Sequence, residues 1–388
     1  MIIPPPPNNK SIYTTPESHQ EMFPTGKFEK IGYELLMKYP NFREKYSSLS
    51  NPYQIGFLLG LINDYKFSNG KSINTVLEIG VHNGVTSLYM LKEGCKQSGK
   101  QFHLYGIDIG DGDFYGQAVF EEASAEELIH YQLHKNSTSF DIEKIFDSKC
   151  IDMVFIDGGH SHPHPIMDLI HVLPFLHEES IVLLHDVVDY MRPHAWGESF
   201  VFVGWKHKKY RTVHLNTKLE PTTPTTLGCI EIPTDKTYLY DNIESIARIP
   251  FRASPWFMGG NYIGINEEHI NSLKSFMERH YDTVFAQKIF GLFTFNFNDY
   301  NQNFLLYLHE TKFYNWLFER SQTHNKDIID IKKKLEELML LSKQPAPEPK
   351  ADNTLNEIMH KTNETHRWMT RIRNTFPYRI LQKIFGKS

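Results

Sequence analysis

Between residues 75 and 186, short apolar runs alternate with segments of helical periodicity. The runs are "TVLEIG" (75–80), "FHLYGIDI" (102–109), "IDMVFIDGG" (151–159) and "SIVLLHD" (180–186), and each ends at or beside a glycine or an acidic residue. The intervening helical segments are "VTSLYMLKEGCKQ", "SAEELIHYQ" and "HPIMDLIHVLPFL". Near-continuous apolar strands that alternate with helices are typical of a parallel sheet covered on both faces. The pattern therefore predicts an α/β fold with a doubly wound, mainly parallel sheet.

The segments on either side extend this unit. "NPYQIGFLLGLINDYK" (51–66) places apolar residues at helical spacing, so it predicts a helix that packs on the α/β unit. "YRTVHLN" (210–216) and "LGCIEI" (227–232) are two further strand candidates, and we expect them to form an antiparallel pair at the sheet edge. The predicted α/β domain covers residues 41–235.

The rest of the chain divides by composition. Residues 1–40 are predicted as an extended or poorly ordered lead-in, because the first of them are rich in Pro, Asn, Ser and Thr. Residues 236–322 return to helical periodicity and predict a mainly helical accessory region. Residues 323–343 carry a 3-4-3 apolar pattern that fits either a short coiled coil or a solvated helix. Residues 344–353 form a Pro-rich linker before a basic aromatic tail, residues 354–388.

The tail carries a local excess of positive charge. Residues 361–388 hold seven Lys or Arg against the single acid Glu364, mixed with aromatic and aliphatic residues. Such a segment can lie at the periphery of an anionic membrane or grip an acidic partner such as a glycan-assembly enzyme. The alternative is a weakly ordered terminus. The coiled-coil pattern would also allow a homo-oligomer.

Composition narrows the class of protein. The 388 residues are 40% hydrophobic, enough for a full core. The 41 basic and 46 acidic residues give a formal charge of -5, so no nucleic acid partner is expected. Three widely spaced cysteines without a CxxC pair argue against a disulfide framework. Because the sequence shows no secretory signal and no long apolar segment, we expect a cytoplasmic protein.

The turn after the first strand, in "VLEIGVHNG" (76–84), is the first candidate for chemistry, because ligands of such sheets bind at the carboxyl ends of strands. It lacks the full GxGxxG of a dinucleotide site and the Lys of a P-loop. Glu78 suits a cation rather than a phosphate, and Asp108, ending the second strand, suits the hydroxyls of a ribose. A nucleoside with a cationic tail, such as S-adenosylmethionine, fits both acids. The alternative is strand-end acids in solvent beside ordinary loop glycines.

The fourth and fifth strands end in a second set of polar residues. Asp157 ends the fourth strand, and His185 and Asp186 end the fifth. Since adjacent parallel strands end side by side, these side chains are expected to converge above the sheet. Two carboxylates with an imidazole predict a divalent metal site, for Mg²⁺ or Mn²⁺.

The turn after the first strand and the end of the second strand resemble the corresponding motifs of the class I S-adenosylmethionine-dependent methyltransferases. The resemblance covers residues 52–235. "VLEIGVHNG" is similar to their first motif and "YGIDIG" to their second. The resemblance implies a seven-stranded sheet closed by the edge hairpin. It also implies that Glu78, Gly80, Val81, His82, Asn83 and Gly84 hold the methionine end of S-adenosylmethionine, that Asp108 holds the ribose, and that Asn136 and Ser137 contact the adenine.

The segment "FIDGGHSHPHPIMDL" (155–169) resembles, more narrowly, the metal-dependent O-methyltransferases typified by macrocin O-methyltransferase, together with cephalosporin hydroxylase. That resemblance implies Asp157, His185 and Asp186 as metal ligands, with Asp157 and His160 as catalytic residues. His160 stands where the related catechol enzymes have a basic lysine, so it would accept the hydroxyl proton. Its rival role is orientation of the metal. His185 departs from the acid that the catechol group has there.

Histidines are frequent in and after this segment. His162, His164, His171 and His177 are each expected to be structural, as single histidines mostly are. An alternative is a zinc site formed by the first two of these with His160, although the intervening prolines favour a loop over an extended strand.

The expected function is transfer of a methyl group from S-adenosylmethionine to a hydroxyl of a sugar or glycan, such as a cell-surface polysaccharide or a sugar nucleotide, assisted by a divalent metal. The acceptor wall is expected at His194, Trp196, Trp205 and Lys206, because a Trp-lined face suits a sugar. The alternatives are a small aromatic or antibiotic-like alcohol as acceptor, a metal-dependent hydrolase or hydroxylase on the same fold, and a non-catalytic scaffold.

Overall fold

A computed structural model describes residues 27–302 except 49, 51, 188–196, 213–225 and 253–264. All of these residues belong to one compact unit, Met1–Glu319. The predicted coiled coil, linker and tail fall outside the described residues, as do His194 and Trp196, so these predictions stay predictions. Within the described ranges, no helix has the length and apolar character needed to cross a membrane.

Strands and helices alternate through the first part of the described chain, and helices dominate its end. The strands are β1 (Thr75–Ile79), β2 (His103–Ile107), β3 (Tyr131–His134), β4 (Ile151–Ile156), β5 (Leu176–Val187), β6 (Lys209–Arg211) and β7 (Thr226–Glu231). The α-helices are α1 (Lys27–Leu36), α2 (Phe42–Lys45), α3 (Pro52–Asp64), α4 (Val85–Ser98), α5 (Gln117–Glu122), α6 (Ala125–Leu128), α7 (His164–Val172), α8 (Gly197–Gly204), α9 (Lys236–Ala247) and α10 (Glu267–His280). A further helical stretch covers residues 283–302.

The seven strands form one sheet in the order β3-β2-β1-β4-β5-β7-β6. Strands β1 to β5 pair in parallel, and β7 pairs antiparallel with both β5 and β6. The direction of the strand order reverses between β1 and β4, which is the place where open α/β sheets bind ligands, beyond the carboxyl ends of the strands. The predicted doubly wound, mainly parallel, seven-stranded sheet is confirmed.

Alternate strand residues fill two apolar cores, one on each face of the sheet. Along β1, Val76 joins a core with residues of α1, α3 and α4, whereas Leu77 joins a core with residues of α7, α9 and α10. Both side chains are fully buried. The described part of residues 236–322 is helical and packs into the second of these cores. The sheet is thus held between two helical layers, which leaves the strand ends as its exposed edges.

Two segments differ from the sequence prediction. Within the expected lead-in, Lys27–Leu36 form helix α1, because Phe28, Leu35 and Leu36 pack into the first core. The predicted helix "SAEELIHYQ" is shortened to α6, and its last residues belong to β3, where Tyr131 pairs in parallel with Leu104 of β2. Pairing with β2 outweighs the local helical periodicity, a common tertiary effect on a short segment.

Candidate active site

The turn between β1 and α4 takes a conformation that requires its two glycines. Gly80 has a φ of 90° and Gly84 a φ of 80°, in the left-handed region that a Cβ disfavours. A Cβ on Gly80 would also overlap the carbonyl group of Asp157, whose carbon would be 2.5 Å away. The Asp157 N–H in turn donates to the Ile79 carbonyl at 2.8 Å. The turn after β1 and the end of β4 are therefore in direct backbone contact.

The Asp108 carboxylate fixes this turn from the end of β2. Its Oδ2 accepts the backbone N–H groups of Val81 and His82, both at 2.8 Å, and its Oδ1 accepts the N–H of Gly110 at 2.9 Å. A carboxylate offers about four acceptor sites, so about one is left for a ligand hydroxyl. The predicted ribose residue thus also shapes the turn, a role that the sequence did not reveal.

Glu78 and Asn83 are engaged by the protein itself. The Glu78 side chain is buried and accepts a hydrogen bond from the Ser87 hydroxyl of α4. Burial raises the pKa of Glu78 well above its usual range, although the Ser87 hydrogen bond opposes the rise. Asn83 Nδ2 donates to the Tyr46 carbonyl at 3.0 Å and so ties the turn to the segment after α2. Both side chains therefore support the turn from within the protein.

The loop after β3 lies against the same edge of the sheet. The N–H of Asn136 donates to the Gly110 carbonyl, and the N–H of Ser137 donates to the Asp108 carbonyl, both at 3.0 Å. The Ser137 hydroxyl donates to the Lys135 carbonyl at 3.1 Å. The two predicted adenine residues are therefore placed directly beside the predicted ribose residue.

Backbone strain is concentrated at these positions. Four of the described non-glycine residues have a positive φ: Ser47 at 49°, His82 at 52°, Asn136 at 51° and Asp186 at 49°. Three of the four are residues that the sequence predicts as site residues. Such conformations cost about 1–3 kcal/mol each, and they persist where the surroundings enforce them, often at functional sites. The strained residues thus lie at the edge of the sheet where the sequence predicts the site.

Five ionisable side chains meet where β4 and β5 end. We call Asp157, His160, His185, Asp186 and Glu198 the acid–imidazole cluster. His185 Nδ1 lies 2.6 Å from Asp157 Oδ1 and 3.3 Å from Asp186 Oδ1. His160 Nδ1 lies 2.7 Å from Glu198 Oε1, and its Nε2 lies 3.8 Å from Asp186 Oδ2. The structure thus brings together the four residues that the sequence predicted here and adds Glu198.

A bulge in β5 lets two adjacent residues share this cluster. Neighbours in a regular strand, such as His185 and Asp186, point to opposite faces of the sheet. The pairing of β5 with β7 shifts register between Leu184 and Val187, and Asp186 has a positive φ. A β-bulge re-aims side chains and is frequent next to active sites. The strained backbone at Asp186 therefore allows the side chains of both His185 and Asp186 to enter the acid–imidazole cluster.

Burial and charge act in opposite directions on the two imidazoles. Burial by itself lowers the pKa of His185, but the carboxylates of Asp157 and Asp186 outweigh it and raise the pKa to about 10. Burial likewise lowers the pKa of His160, and Glu198 with Asp186 outweighs it and raises the pKa to about 9. Burial raises the pKa of Glu198 despite the opposing effect of His160. Each imidazole is thus stabilised in its protonated form by the acids around it.

Among the described residues, the cluster is arranged as ion pairs and not as a set of ligands around a divalent metal ion. His185 faces oxygen atoms through both ring nitrogens, with Asp157 Oδ1 2.6 Å from Nδ1 and Gln54 Oε1 3.0 Å from Nε2. Within the described ranges, no three His, Cys, Asp or Glu side chains are placed to hold a metal ion. The residues of the predicted metal site, Asp157, His185 and Asp186, instead form ion pairs with one another.

The neighbouring histidines have structural roles. His162 is 1% exposed, its Nε2 is 3.1 Å from a backbone carbonyl just after α9, and burial lowers its pKa to about 4. His171 Nδ1 donates to a carbonyl of its own helix at 2.7 Å, and burial lowers its pKa to about 4. The alternative zinc site with His160 is not formed among the described residues, because His160 and His162 are held by different partners.

Trp205, expected in the acceptor wall, is a core residue. Its side chain is fully buried, and its indole N–H donates to the Glu231 carbonyl at 3.0 Å. Lys206 Nζ donates to the Ser245 hydroxyl of α9 at 2.9 Å. The prediction is wrong for Trp205, because this residue directly follows α8, whose apolar residues enter the same core.

Two residues of the site carry no motif in the sequence. Gln54, from α3, reaches His185 Nε2, and Glu198, from α8, reaches His160 Nδ1. Each is a buried polar residue inside an otherwise apolar segment, "YQIGFLLG" and "GESFVFVG". A polar residue within an apolar segment is the one sequence signal for these two positions. It does not indicate that their partners are His185 and His160.

The sheet order, the glycine turn after β1 and the acid after β2 are arranged as in a Rossmann-like methyltransferase fold. Comparison with protein families agrees, since residues 77–187 match the model of a methyltransferase domain. The matched range contains every predicted donor residue and four members of the acid–imidazole cluster. None of the curated proteins matches this chain.

Several solved methyltransferase structures are similar to part of this chain. The O-methyltransferase TomG from Streptomyces achromogenes, involved in tomaymycin synthesis and solved with SAM, is 19% identical, covers 51% of this chain and 89% of its own, and has a TM-score of 0.37. The Bacillus cereus O-methyltransferase solved with SAH is 14% identical, with coverages of 54% and 99% and a TM-score of 0.38. The SAH-bound Podospora anserina methyltransferase PaMTH1 is 10% identical, with coverages of 60% and 99% and a TM-score of 0.32.

Proposed function

We propose that this chain transfers a methyl group from S-adenosylmethionine to a hydroxyl oxygen. The observation that carries the proposal is the backbone contact between the donor turn and the acid–imidazole cluster. Gly80 packs against the Asp157 carbonyl, and the Asp157 N–H donates to Ile79. A donor held at the turn therefore has its methyl group beside side chains that can accept a proton. Adjacent positioning of an activated donor and a base is the main requirement of such a transfer.

The donor is proposed to lie along the strand ends from β3 to β4. Backbone groups of the turn from Gly80 to Gly84 would hold its methionine end, and Asp108 would offer its remaining acceptor site to a ribose hydroxyl. Asn136 and Ser137, beside Asp108, would lie at the adenine end. Since S-adenosylmethionine already carries an activated methyl group, positioning supplies much of the rate, up to about 7–11 kcal/mol in favourable intramolecular cases.

His160 is the group that we assign to the acceptor proton. The hydroxyl oxygen attacks the methyl carbon, the carbon–sulfur bond breaks, and its electron pair returns to the sulfur. The hydroxyl proton passes to His160 Nε2, because Glu198 already holds Nδ1 at 2.7 Å. Asp157 contributes by holding His185 in the wall of the site. The neutral imidazole of His160 is the accepting form, so the reaction needs that form to be populated.

The transfer as proposed includes no step through a divalent metal. Asp157 and Asp186 both pair with the imidazole of His185. The hydroxyl proton is taken by the neighbouring imidazole of His160.

For the acceptor, we propose a hydroxyl of a sugar or glycan. Its support is the basic aromatic tail, residues 354–388, which suits a place beside glycan assembly at a membrane face. A small aromatic or antibiotic-like alcohol is the alternative. The burial of Trp205 removes one argument that favoured the sugar.

Titration calorimetry of the full chain with S-adenosylmethionine tests the donor. We expect binding to the wild type and a dissociation constant raised about 10- to 100-fold in Asp108→Ala, since a hydrogen bond to a charged group contributes about 1.5–3 kcal/mol. Asp152→Ala is the matched control. Asp152 Oδ2 also accepts two backbone N–H groups, of Asn74 and Thr75 at 2.7 and 2.8 Å, but at the opposite end of the strands. Wild-type protein that does not bind the donor would end the proposal.

The acceptor is tested separately with a methyl-labelled donor. Purified protein would be incubated with glycan, sugar nucleotide and catechol-type acceptors, and products would be read by mass spectrometry. If only the catechol-type acceptors are methylated, the proposal of a sugar acceptor is overturned, while the proposal of methyl transfer to a hydroxyl stands.

A further inference from the structure

Glu198 is a buried carboxylate whose side chain contacts His160. It is fully buried, its Oε1 lies 2.7 Å from His160 Nδ1, and its Oε2 has no hydrogen-bond partner among the described residues. A buried carboxyl group is costly unless it is paired. The contact with His160 is therefore what offsets the cost of burying Glu198.

The backbone around Glu198 is fitted to the loop that carries His160. The N–H of Gly197 donates to the His160 carbonyl at 2.7 Å. A Cβ on Gly197 would lie 2.6 Å from Cδ of Pro165 and 3.0 Å from the Ser161 carbonyl oxygen, so the first residue of α8 is pressed against this loop. The relative position of Glu198 and the ring of His160 is thus set by close backbone contact, which limits how far either group can move.

The contact with Glu198 also decides which nitrogen of His160 lies on the side of the strand ends. With Nδ1 held by Glu198, Nε2 is the nitrogen on the other side of the ring, 3.8 Å from Asp186 Oδ2 and on the side of the strand ends. In a nucleophile–histidine–acid arrangement, the acid fixes the orientation of the imidazole and stabilises the charge that it acquires when it takes the proton. The contact between Glu198 and His160 matches the contact between the acid and the histidine in that arrangement.

We propose that Glu198 is a positioning residue that holds Nδ1 of His160 and thereby presents Nε2 to the acceptor hydroxyl. This inference rests on the proposed methyl transfer. Glu198 does not touch the donor turn, so its loss should reduce turnover without changing donor binding. A positioned general base contributes about 10²–10⁴-fold to the rate, and we expect loss of the residue that positions it to remove about 10- to 100-fold of this.

The test compares two variants of Glu198 with one control in the full chain. Glu198→Ala should lower kcat about 10- to 100-fold, and the dissociation constant for S-adenosylmethionine should stay as in the wild type. Glu198→Gln keeps the shape and one acceptor oxygen, so it should recover part of the lost kcat. Glu29→Ala is the control, because Glu29 is also a buried carboxylate, paired with the Tyr210 hydroxyl and not a member of the cluster. It should keep the wild-type kcat.

The outcomes separate this inference from the proposed function. If the wild type methylates an acceptor and Glu198→Ala keeps its kcat, the positioning role is overturned while the function stands. If the wild type binds the donor but methylates nothing, the function itself fails. If Glu198→Ala does not fold, Glu198→Gln provides the test. A lowered kcat with unchanged donor binding supports the positioning role. Equal losses of kcat and of donor affinity overturn it and indicate a structural role.

Discussion

Replacing Gly80 with alanine tests how tightly the donor turn is fitted to the end of β4. Gly80 has a φ of 90°, and an added Cβ would overlap the Asp157 carbonyl and lie 2.8 Å from Cα of Gly158. Both neighbours are backbone, which cannot rotate aside as a flexible side chain can. The substitution therefore combines backbone strain with a steric overlap.

The two contributions can be separated with a second glycine. Gly70 has a φ of 78°, but a Cβ there would meet nothing within 4 Å. Gly70→Ala should therefore show the backbone cost alone, about 1–2 kcal/mol for the left-handed region. Overpacking adds about 1–3 kcal/mol, so Gly80→Ala should lose about 2–5 kcal/mol. The difference between the variants measures the overlap with the Asp157 carbonyl.

Urea unfolding of both variants, followed by tryptophan fluorescence, gives the two free energies of unfolding. Calorimetry with S-adenosylmethionine should show weaker donor binding for Gly80→Ala only, because only this turn contributes to the donor site. Equal stability of the two variants would refute the close contact between the turn and β4, and with it the observation on which the proposed function depends.

Three other predictions concern the pH dependence of kcat, the pH dependence of stability and the effect of metal removal. Because Glu198 and Asp186 raise the pKa of His160 to about 9, kcat should rise with pH up to about 9; a flat profile between pH 7 and 9 would contradict its role as base. His162 and His171 have their pKa lowered to about 4, so the unfolded chain binds more protons below pH 6.5 and stability should fall on acidification, by about 2 kcal/mol for each at pH 5. Urea midpoints at pH 7 and 5 check this, and His171→Leu should reduce the difference. Treatment with EDTA should leave methylation unchanged, and a loss that Mg²⁺ restores would show that the cluster rearranges to bind metal.

The strand ends could be located from the sequence because the pattern there is local. Apolar runs that stop at Gly80, Asp108, Asp157 and Asp186 mark the carboxyl edge of a parallel sheet, and parallel strands bring their ends together without further information. The contact between the donor turn and β4 follows from the same rule, since β1 and β4 are neighbours in the sheet.

Features that depend on packing between distant segments could not be read in this way. Glu198 reaches His160 because α8 docks on the loop before α7, and nothing near position 198 indicates that contact. The bulge at Asp186 is a change in pairing between β5 and β7, and the sequence of β5 alone predicts a regular strand. The prediction for Trp205 is wrong for the same reason, since exposure is a property of the packed chain.

The composition of the acid–imidazole cluster explains why its strain and burial can persist together. Three carboxyl groups surround two imidazoles, so each charge that burial disfavours has an opposite charge within hydrogen-bonding or ion-pair distance. Removing one member leaves a partner buried without compensation, which costs about 3–5 kcal/mol when a buried pair is broken. That mutual dependence is enough to hold Asp186 in its strained conformation, at about 1–3 kcal/mol. The strain is therefore maintained by the cluster that it helps to assemble.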